Sequence, residues 1–456
     1  MKRRRNKRSL STTHIIMMSF LGVIFLGSLL LSLPISSADG NAVPYLDALF
    51  TATTSTCVTG LVTLPAATAW SFFGQVVILI LIQIGGLGVV TVMAGVMLVL
   101  QRRMGLSDRL LLQDSFNLNS LSGLSRFIQR VMIGTFAAEG LGALLYMTVF
   151  VPAFGARGVW ISIFNAVSAF CNAGMDIIGE NSLCDYALNP TVCGVTSALI
   201  ILGGLGFTVW WDILRVLELS IRKRSLRLLS HLTLHSKMAL TVTAVLLLGG
   251  GLLIFLLEGQ NPDTLGDMTF LQKMQVAFFQ SVTTRTAGFA TVDQSALTPA
   301  TTALCLILMF IGGSPVGTAG GVKTVTVLVL AAYAVSTVRG KREVGIFNRR
   351  IHRDTLRKAV AVVSMSFLIT ALSTVLLAAV TPDRPLADIL YETVSATATV
   401  GLSRNLTPTL NTAGKLIVAL TMYLGRIGPI SLAVAFGVAG EKQNIVNNPT
   451  EPISVG

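Results

Sequence analysis

The polar residues of this chain are gathered into short segments, and between them lie apolar runs too long for the core of a soluble domain. Runs at 13–33, 192–214, 238–257 and 360–380 each reach the roughly 20 nonpolar residues that a helix needs to cross a bilayer. The intervening polar stretches are too short to fold as a separate soluble domain. The pattern predicts an all-α polytopic membrane protein.

Stretches of another character recur between the runs. LDALFTATTSTCVTG, WISIFNAVSAFCNAG, QVAFFQSVTTRTAG and ILYETVSATATVG are rich in small and hydroxyl side chains, and each ends on glycine. Those glycines, Gly60, Gly174, Gly288 and Gly401, stand 114, 114 and 113 residues apart, and ten positions before them come Phe50, Phe164, Phe278 and Tyr391. So regular a period marks an internal repeat. A second marker lies in the apolar run that follows each glycine: Gly85-Gly86, Gly203-Gly204, Gly312-Gly313 and, in the last copy, Gly425-Arg426.

Each unit therefore reads as helix, short pore loop, helix. The whole is four tandem units, with eight principal spans and pseudo-fourfold symmetry around one central pore. The expected boundaries are a basic tail at 1–12, unit 1 at 13–100, a loop at 101–126, unit 2 at 127–217 and a loop at 218–236. Unit 3 follows at 237–338, then a loop at 339–354, unit 4 at 355–440 and a tail at 441–456. A half-helix of about twelve residues rises roughly 18 Å, short of a hydrocarbon core of about 30 Å. It must enter from one side, stop halfway and return as extended chain. Such backbone is tolerated at that depth only when it is buried in protein or lines an aqueous path.

The ends of the four segments are Thr56-Cys57-Val58-Thr59-Gly60, Cys171-Asn172-Ala173-Gly174, Arg285-Thr286-Ala287-Gly288 and Thr399-Val400-Gly401. None carries an acid, so a passing cation has to be held by main-chain carbonyls, the ligands that replace the hydration shell of K⁺. Glycine suits the place because it can turn its carbonyl without a Cβ clash. The partially negative C-terminal ends of the half-helices favour a cation in the cavity below.

Charge adds orientation. The net charge is +13, yet 26 of the 34 Lys and Arg residues fall in the N-terminal tail, 101–130, 215–237, 339–358 and the C-terminal tail. Basic loops are retained in the cytoplasm, which places both termini inside. The opposite loops carry Asp39, Asp47, Asp176, Glu180, Asp293 and Asp388, an acidic mouth that concentrates cations or ordinary loop polarity. The first 40 residues contain the parts of a secretory signal, but the apolar run exceeds its usual length and the repeat uses it as a first helix. Cys184 and Cys193 share one outer loop and are near enough in sequence to pair or to stay free. Trp210 and Trp211 read as an aromatic belt. No nucleophile–base pattern or phosphate-cradling loop occurs, so an enzyme is not expected.

These four segments in order, the Gly-rich span of unit 3 and Arg426 in unit 4 resemble the Trk/Ktr/HKT superfamily of K⁺ transporters. With one span before the first segment, the chain is most similar to the KtrB-type pore subunits of bacterial Ktr systems. The resemblance implies inward K⁺ passage in a bacterial plasma membrane, stimulated by Na⁺, and a homodimer. It also implies a cytosolic KtrA-like ring of RCK type that carries the regulatory nucleotide, this chain itself needing no cofactor beyond the ion. Two positions depart from the family pattern: Cys57 within the first segment, and Arg404 in the LSRN that follows Gly401.

Unit 3's second span is interrupted by Gly312-Gly313-Ser314-Pro315-Val316-Gly317-Thr318-Ala319-Gly320-Gly321, five glycines and a proline in ten residues. A helix there is costly, so the segment is expected to be a gate below the filter or a fixed kink. Lys323 follows it directly. Arg426 replaces a glycine of the other units and is expected to project below the filter as a permeation barrier. Its alternatives are an anchor on half-helix carbonyls and a partner for Glu139, the acid within a span. Rival readings are a proton- or Na⁺-coupled symporter and a non-conducting membrane scaffold or sensor.

Overall fold

The structure is a computed structural model, and it describes residues 12–100, 105, 124–223, 231–341 and 343–428. The tail before residue 12, most of the 101–126 loop, part of the 218–236 loop and everything beyond 428 lie outside the described residues.

The helices follow one another in sets. Unit 1 holds α1 (Thr12–Leu31), α2 (Tyr45–Cys57), α3 (Phe72–Leu87) and α4 (Val89–Val99). Unit 2 holds α5 (Leu124–Phe154), α6 (Ala156–Cys171), α7 (Pro190–Leu205) and α8 (Phe207–Lys223). Unit 3 holds α9 (Leu234–Glu258), α10 (Phe270–Thr283), α11 (Pro299–Phe310) and α12 (Thr324–Val338). Unit 4 holds α13 (Arg353–Val380), α14 (Leu386–Ala398) and α15 (Thr412–Ile427). A two-residue hairpin, β1 (Gly345–Ile346) with β2 (Arg349–Arg350), joins units 3 and 4.

Four helices, α1, α5, α9 and α13, are long and apolar enough to span a membrane. They turn large side chains outward, among them Phe25, Leu144, Leu252 and Phe367, while Ser28, Thr135, Thr243 and Ser366 are buried inward. That inversion suits a lipid surround. The second helix of every unit starts on the same kind of cap. Ser71, Asn189, Thr298 and Asn411 each accept from backbone amides of the first turn, with Pro190 and Pro299 at the opening positions of α7 and α11.

Neighbouring units interlock in one direction. The half-helix α6 packs on α3 of the unit before it, α10 on α7, α14 on α11, and α2 on α15, which closes the circle. Polar ties secure the outer rim. Trp160 Nε1 donates to Gln75 Oε1 at 2.9 Å, Leu183 N to Ala290 O at 3.0 Å, and Lys415 pairs with Asp47 at 2.5 Å.

One expectation is corrected. The second spans of units 1 and 2 are not single helices: they bend by 95° between α3 and α4 and by 96° between α7 and α8. The breaks fall on Gly88 (φ 85°, ψ 134°) and Gly206 (φ 87°, ψ 139°), backbone angles that a β-carbon disfavours. Gly428 repeats them (φ 87°, ψ 144°), so Gly-Gly-Leu-Gly, Gly-Gly-Leu-Gly and Gly-Arg-Ile-Gly end three spans alike. In unit 3 the corresponding place is Pro315, which cannot take positive φ, and the chain forms the 312–321 loop instead.

Candidate functional site

Each half-helix ends on a residue forced into left-handed backbone: Val58 (φ 54°), Asn172 (φ 60°) and Thr399 (φ 51°) directly after α2, α6 and α14, and Thr286 (φ 64°) three residues after α10. Two residues further on, Gly60, Gly174, Gly288 and Gly401 are again at positive φ, between 64° and 100°. The residues between them are not, and this alternation of sign swings successive carbonyls to a common side.

The four glycines meet in a closed ring. A Cβ on Gly60 would stand 2.6 Å from Ala173 O, one on Gly174 2.5 Å from Ala287 O, and one on Gly288 2.6 Å from Val400 O. A Cβ on Gly401 would collide with Thr59 O, returning to the first unit. Glycine is thus required here by both backbone angle and space. Each segment's carbonyl faces its neighbour's glycine, with no acidic side chain within the segments.

The amides of the segments are satisfied by their own half-helices. Thr59 N, Ala173 N and Val400 N donate to Thr54 O, Ser168 O and Ser395 O at 2.8–2.9 Å. The hydroxyls of the same residues continue the brace: Gly60 N donates to Thr54 Oγ1, Met175 N to Ser168 Oγ and Gly401 N to Ser395 Oγ, at 3.0–3.1 Å. Unit 3 has Val282 at this position, and there Ala287 N turns to Thr283 O and Thr283 Oγ1 donates to Phe289 O. With donors spent on the helix, the ring carbonyls are left as acceptors. Sequence reasoning missed these residues, although a hydroxyl six positions before the glycine in three units was a readable sign.

Thr56, Cys57, Cys171 and Arg285 lie just before the ring-forming residues. Cys57 belongs to the buried apolar cluster that also holds Leu61, Ile389 and Met422. Cys171 Sγ points to Gln83 and Glu139. Arg285, 5% exposed, donates to Gly312 O at 3.3 Å. Around the ring itself, Thr59 Oγ1, Thr399 Oγ1 and Asn172 Nδ2 are buried without a protein partner among the described residues.

The 312–321 loop lies against the half-helix ends. Thr318 Oγ1 donates to Phe170 O at 3.0 Å and Gly320 N to Thr286 Oγ1 at 3.1 Å. A Cβ on Gly320 would run into Thr399, so the strand passes directly beneath two segments. Ser314 N and Thr318 N donate to Gly204 O and Gly203 O of unit 2, and Phe207 N returns a bond to Val316 O. Lys323 Nζ donates to Ala319 O. Arg426 ties the loop to unit 1: one nitrogen donates to Thr318 O at 2.7 Å, the other to Gly85 O and, at 3.4 Å, to Gly86 O. Its partners are carbonyls of units 1 and 3. Glu139 is not among them and instead receives Gln83 Nε2 at 3.3 Å.

Across its described residues, this geometry has known relatives. The model of the TrkH family, described as cation transport protein, matches residues 2–448. The chain belongs to that family. It is 38% identical to the potassium/sodium uptake protein NtpJ of Enterococcus hirae, over 100% of this chain and 99% of that one. It is 37% identical to Ktr system potassium uptake protein B of Bacillus subtilis, over 97% and 96%, and 33% identical to the protein of the same name from Vibrio alginolyticus, over 99% and 97%. The crystal structure of the potassium transporter TrkH from Vibrio parahaemolyticus superposes with a TM-score of 0.75 at 14% identity, covering 96% of this chain and 86% of that one, so the fold is shared.

Within the TrkH family frame, the loops that follow the four segments settle two open points. Cys184 and Cys193 are free thiols; Cys193 Sγ lies on Tyr186 O and Ala187 O, and Cys184 Sγ on Ala290 O. Arg404 is 16% exposed and clasped by Asp388 at 2.7 Å, Thr302 Oγ1 at 2.8 Å and Gln294 O at 3.1 Å, a tie between units 3 and 4. Asp47 and Asp388 are therefore neutralised by Lys415 and Arg404. Asp176, two residues beyond Gly174, keeps no basic partner among the described residues. Burial raises its pKa to about 6, against the pull of Ser182 and of the Ile178 and Gly179 amides.

Proposed function

We propose that this chain is the ion-conducting subunit of a potassium uptake system in a bacterial plasma membrane. K⁺ passes inward through the carbonyl ring of the Gly60, Gly174, Gly288 and Gly401 segments. The observation that carries the reading is the ring itself: carbonyls supplied by four segments, their amides tied back to the half-helices, and no acid among them. Such a site replaces the water of a monovalent ion without the charge that would trap a divalent one. An inward-negative potential supplies roughly 2.3 kcal/mol per charge per 100 mV.

In this reading the 312–321 loop is the gate. It occupies the route below the ring, and Arg426 and Lys323 place positive charge where the half-helix ends are partially negative. The names of the relatives, one of them a potassium/sodium uptake protein and two of them components of Ktr systems, support a further component of the system and the involvement of Na⁺. In the same proposal Na⁺ stimulates uptake, two copies of this chain pair, and a cytosolic RCK-type ring carries the nucleotide and moves the loop. The test is ⁸⁶Rb⁺ uptake by potassium-depleted cells and by proteoliposomes holding the purified chain. Uptake that K⁺ outcompetes and Na⁺ does not is expected; a sealed, folded protein with no uptake contradicts the proposal. Shortening 312–321 is expected to give high, unregulated flux.

A further inference from the structure

A cavity of about 1040 Å³ opens between α8, α9, α12 and α13, on the face that carries the basic loops. Its lining is sorted by depth. His235, Thr355 and Lys358 stand near the ends of α9 and α13 that meet those loops, Arg215 lies midway along α8, and Val325, Val329 and Val362 lie further from the loops along α12 and α13. Arg130 of α5 forms a side wall, its guanidinium 5.4 Å from the centre of the Trp211 ring.

The charges are not evenly matched. Asp212 is committed: one oxygen holds Arg215 at 2.5 Å, the other accepts Thr233 N at 2.8 Å and Thr233 Oγ1 at 2.9 Å. Glu218 is the other acid of the wall. Lys358 has neither a hydrogen bond nor an ion pair among the described residues, and Arg130 has only the indole face. Cationic heads at the rim and a valine-lined interior match an amphiphile with a phosphate head, and basic pockets between helices on this face are where such lipids are held.

The cavity also touches the gate of the reading above, on which the regulatory part of this inference rests. Pro315 and Val316 form part of its wall. Val316 has φ 63°, a left-handed conformation that a β-branched residue resists, and it is kept there by Phe207 N on its carbonyl at 3.0 Å and by packing on Ala94, Leu124 and Ile128. The loop is thus docked under strain, and the space beside it is the space into which it would retract.

We propose that this cavity is a binding site for an anionic phospholipid, its phosphate between Arg130 and Lys358 and an acyl chain along the valines, and that the bound lipid holds the loop docked. Removing the phosphate's partners empties the site of lipid and frees the loop.

The experiment uses the full chain, wild type and the Arg130→Gln/Lys358→Gln double variant, both at exposed positions that the ring does not use. Native mass spectrometry after extraction from phosphatidylglycerol-containing membranes reads lipid retention. ⁸⁶Rb⁺ uptake is compared in vesicles of phosphatidylcholine alone and with phosphatidylglycerol added. Wild type is expected to retain one lipid per chain that the variant loses, and to carry several-fold less Rb⁺ when phosphatidylglycerol is present. The variant is expected to carry the higher flux in both vesicles. Equal retention by the two proteins, or a phosphatidylglycerol effect that survives in the variant, overturns the site. Millimolar inorganic phosphate that reproduces the effect in phosphatidylcholine overturns the assignment to a lipid. Retention that is lost in the variant, with no Rb⁺ carried by either protein in either vesicle, upholds the lipid site and removes the transport reading.

Discussion

Arg426→Gln removes the guanidinium that donates to Thr318 O at 2.7 Å and to Gly85 O, so the loop loses its tie to units 1 and 4. A charge-assisted hydrogen bond of this kind contributes about 1.5–3 kcal/mol net. Only the bond to Thr318 depends on the docked loop, so that figure is the shift in the docked-to-retracted equilibrium. If about 1% of wild-type molecules have the loop retracted, the variant should have about 10–60%, by the same population arithmetic. Loss of the positive charge below the ring acts in the same direction, since it removes a barrier to the inward step. ⁸⁶Rb⁺ uptake in proteoliposomes reads the flux, and thiol labelling of a Ser314→Cys reporter, a near-isosteric change at a position buried while the loop is docked, reads the loop in both backgrounds. Flux and labelling should both rise at least tenfold in protein that accumulates and elutes like wild type. A folded variant with unchanged flux and unchanged labelling would refute the latch.

Gly174→Ala places a methyl 2.5 Å from Ala287 O at a φ of 64°, adding the left-handed cost of about 1–2 kcal/mol to a clash with the next segment; Rb⁺ uptake should vanish while membrane accumulation persists, and normal uptake would count against the ring. Ser395→Ala strands the buried Gly401 N–H at a cost of about 1–3 kcal/mol, and preference for K⁺ over Na⁺ in competition assays should fall, with Ser395→Thr restoring it. Asp176, with its pKa raised to about 6, is neutral below that pH and ionised above it, so uptake at limiting K⁺ should decline as external pH falls from 7 to 5. Asp176→Asn should flatten that decline at the lower level; a profile identical to wild type would rule the group out as its source.

What could be read from residue order was whatever depended on local backbone chemistry. Gly60, Gly174, Gly288 and Gly401 announce themselves because no other residue accepts both the angle and the neighbour's carbonyl. The 312–321 loop is equally plain, since five glycines and Pro315 cannot continue a helix. Residues whose role lies in a partner chosen by tertiary packing were not legible. Arg404 beside the last segment reads from sequence either as a charge that weakens cation entry or as the partner of an acid, and only the structure shows Asp388, Thr302 and Gln294 around it. Arg285 sits within a segment by sequence yet turns to Gly312 O. The breaks at Gly88 and Gly206 were hidden for a different reason: apolar sequence continues on both sides of each Gly-Gly-Leu-Gly and reads as one span, and small residues within a span do not by themselves declare a 95° turn.

The account stands on cation binding by peptide oxygens at the meeting point of the four glycine segments. Anomalous diffraction from crystals soaked in Tl⁺, a K⁺ mimic, locates such an ion directly. Tl⁺ density on the ring axis, among the Thr59, Ala173, Ala287 and Val400 carbonyls and displaced by excess K⁺, is the predicted result. Density confined to Asp176 and the other outer acids, with none inside the ring, would contradict it.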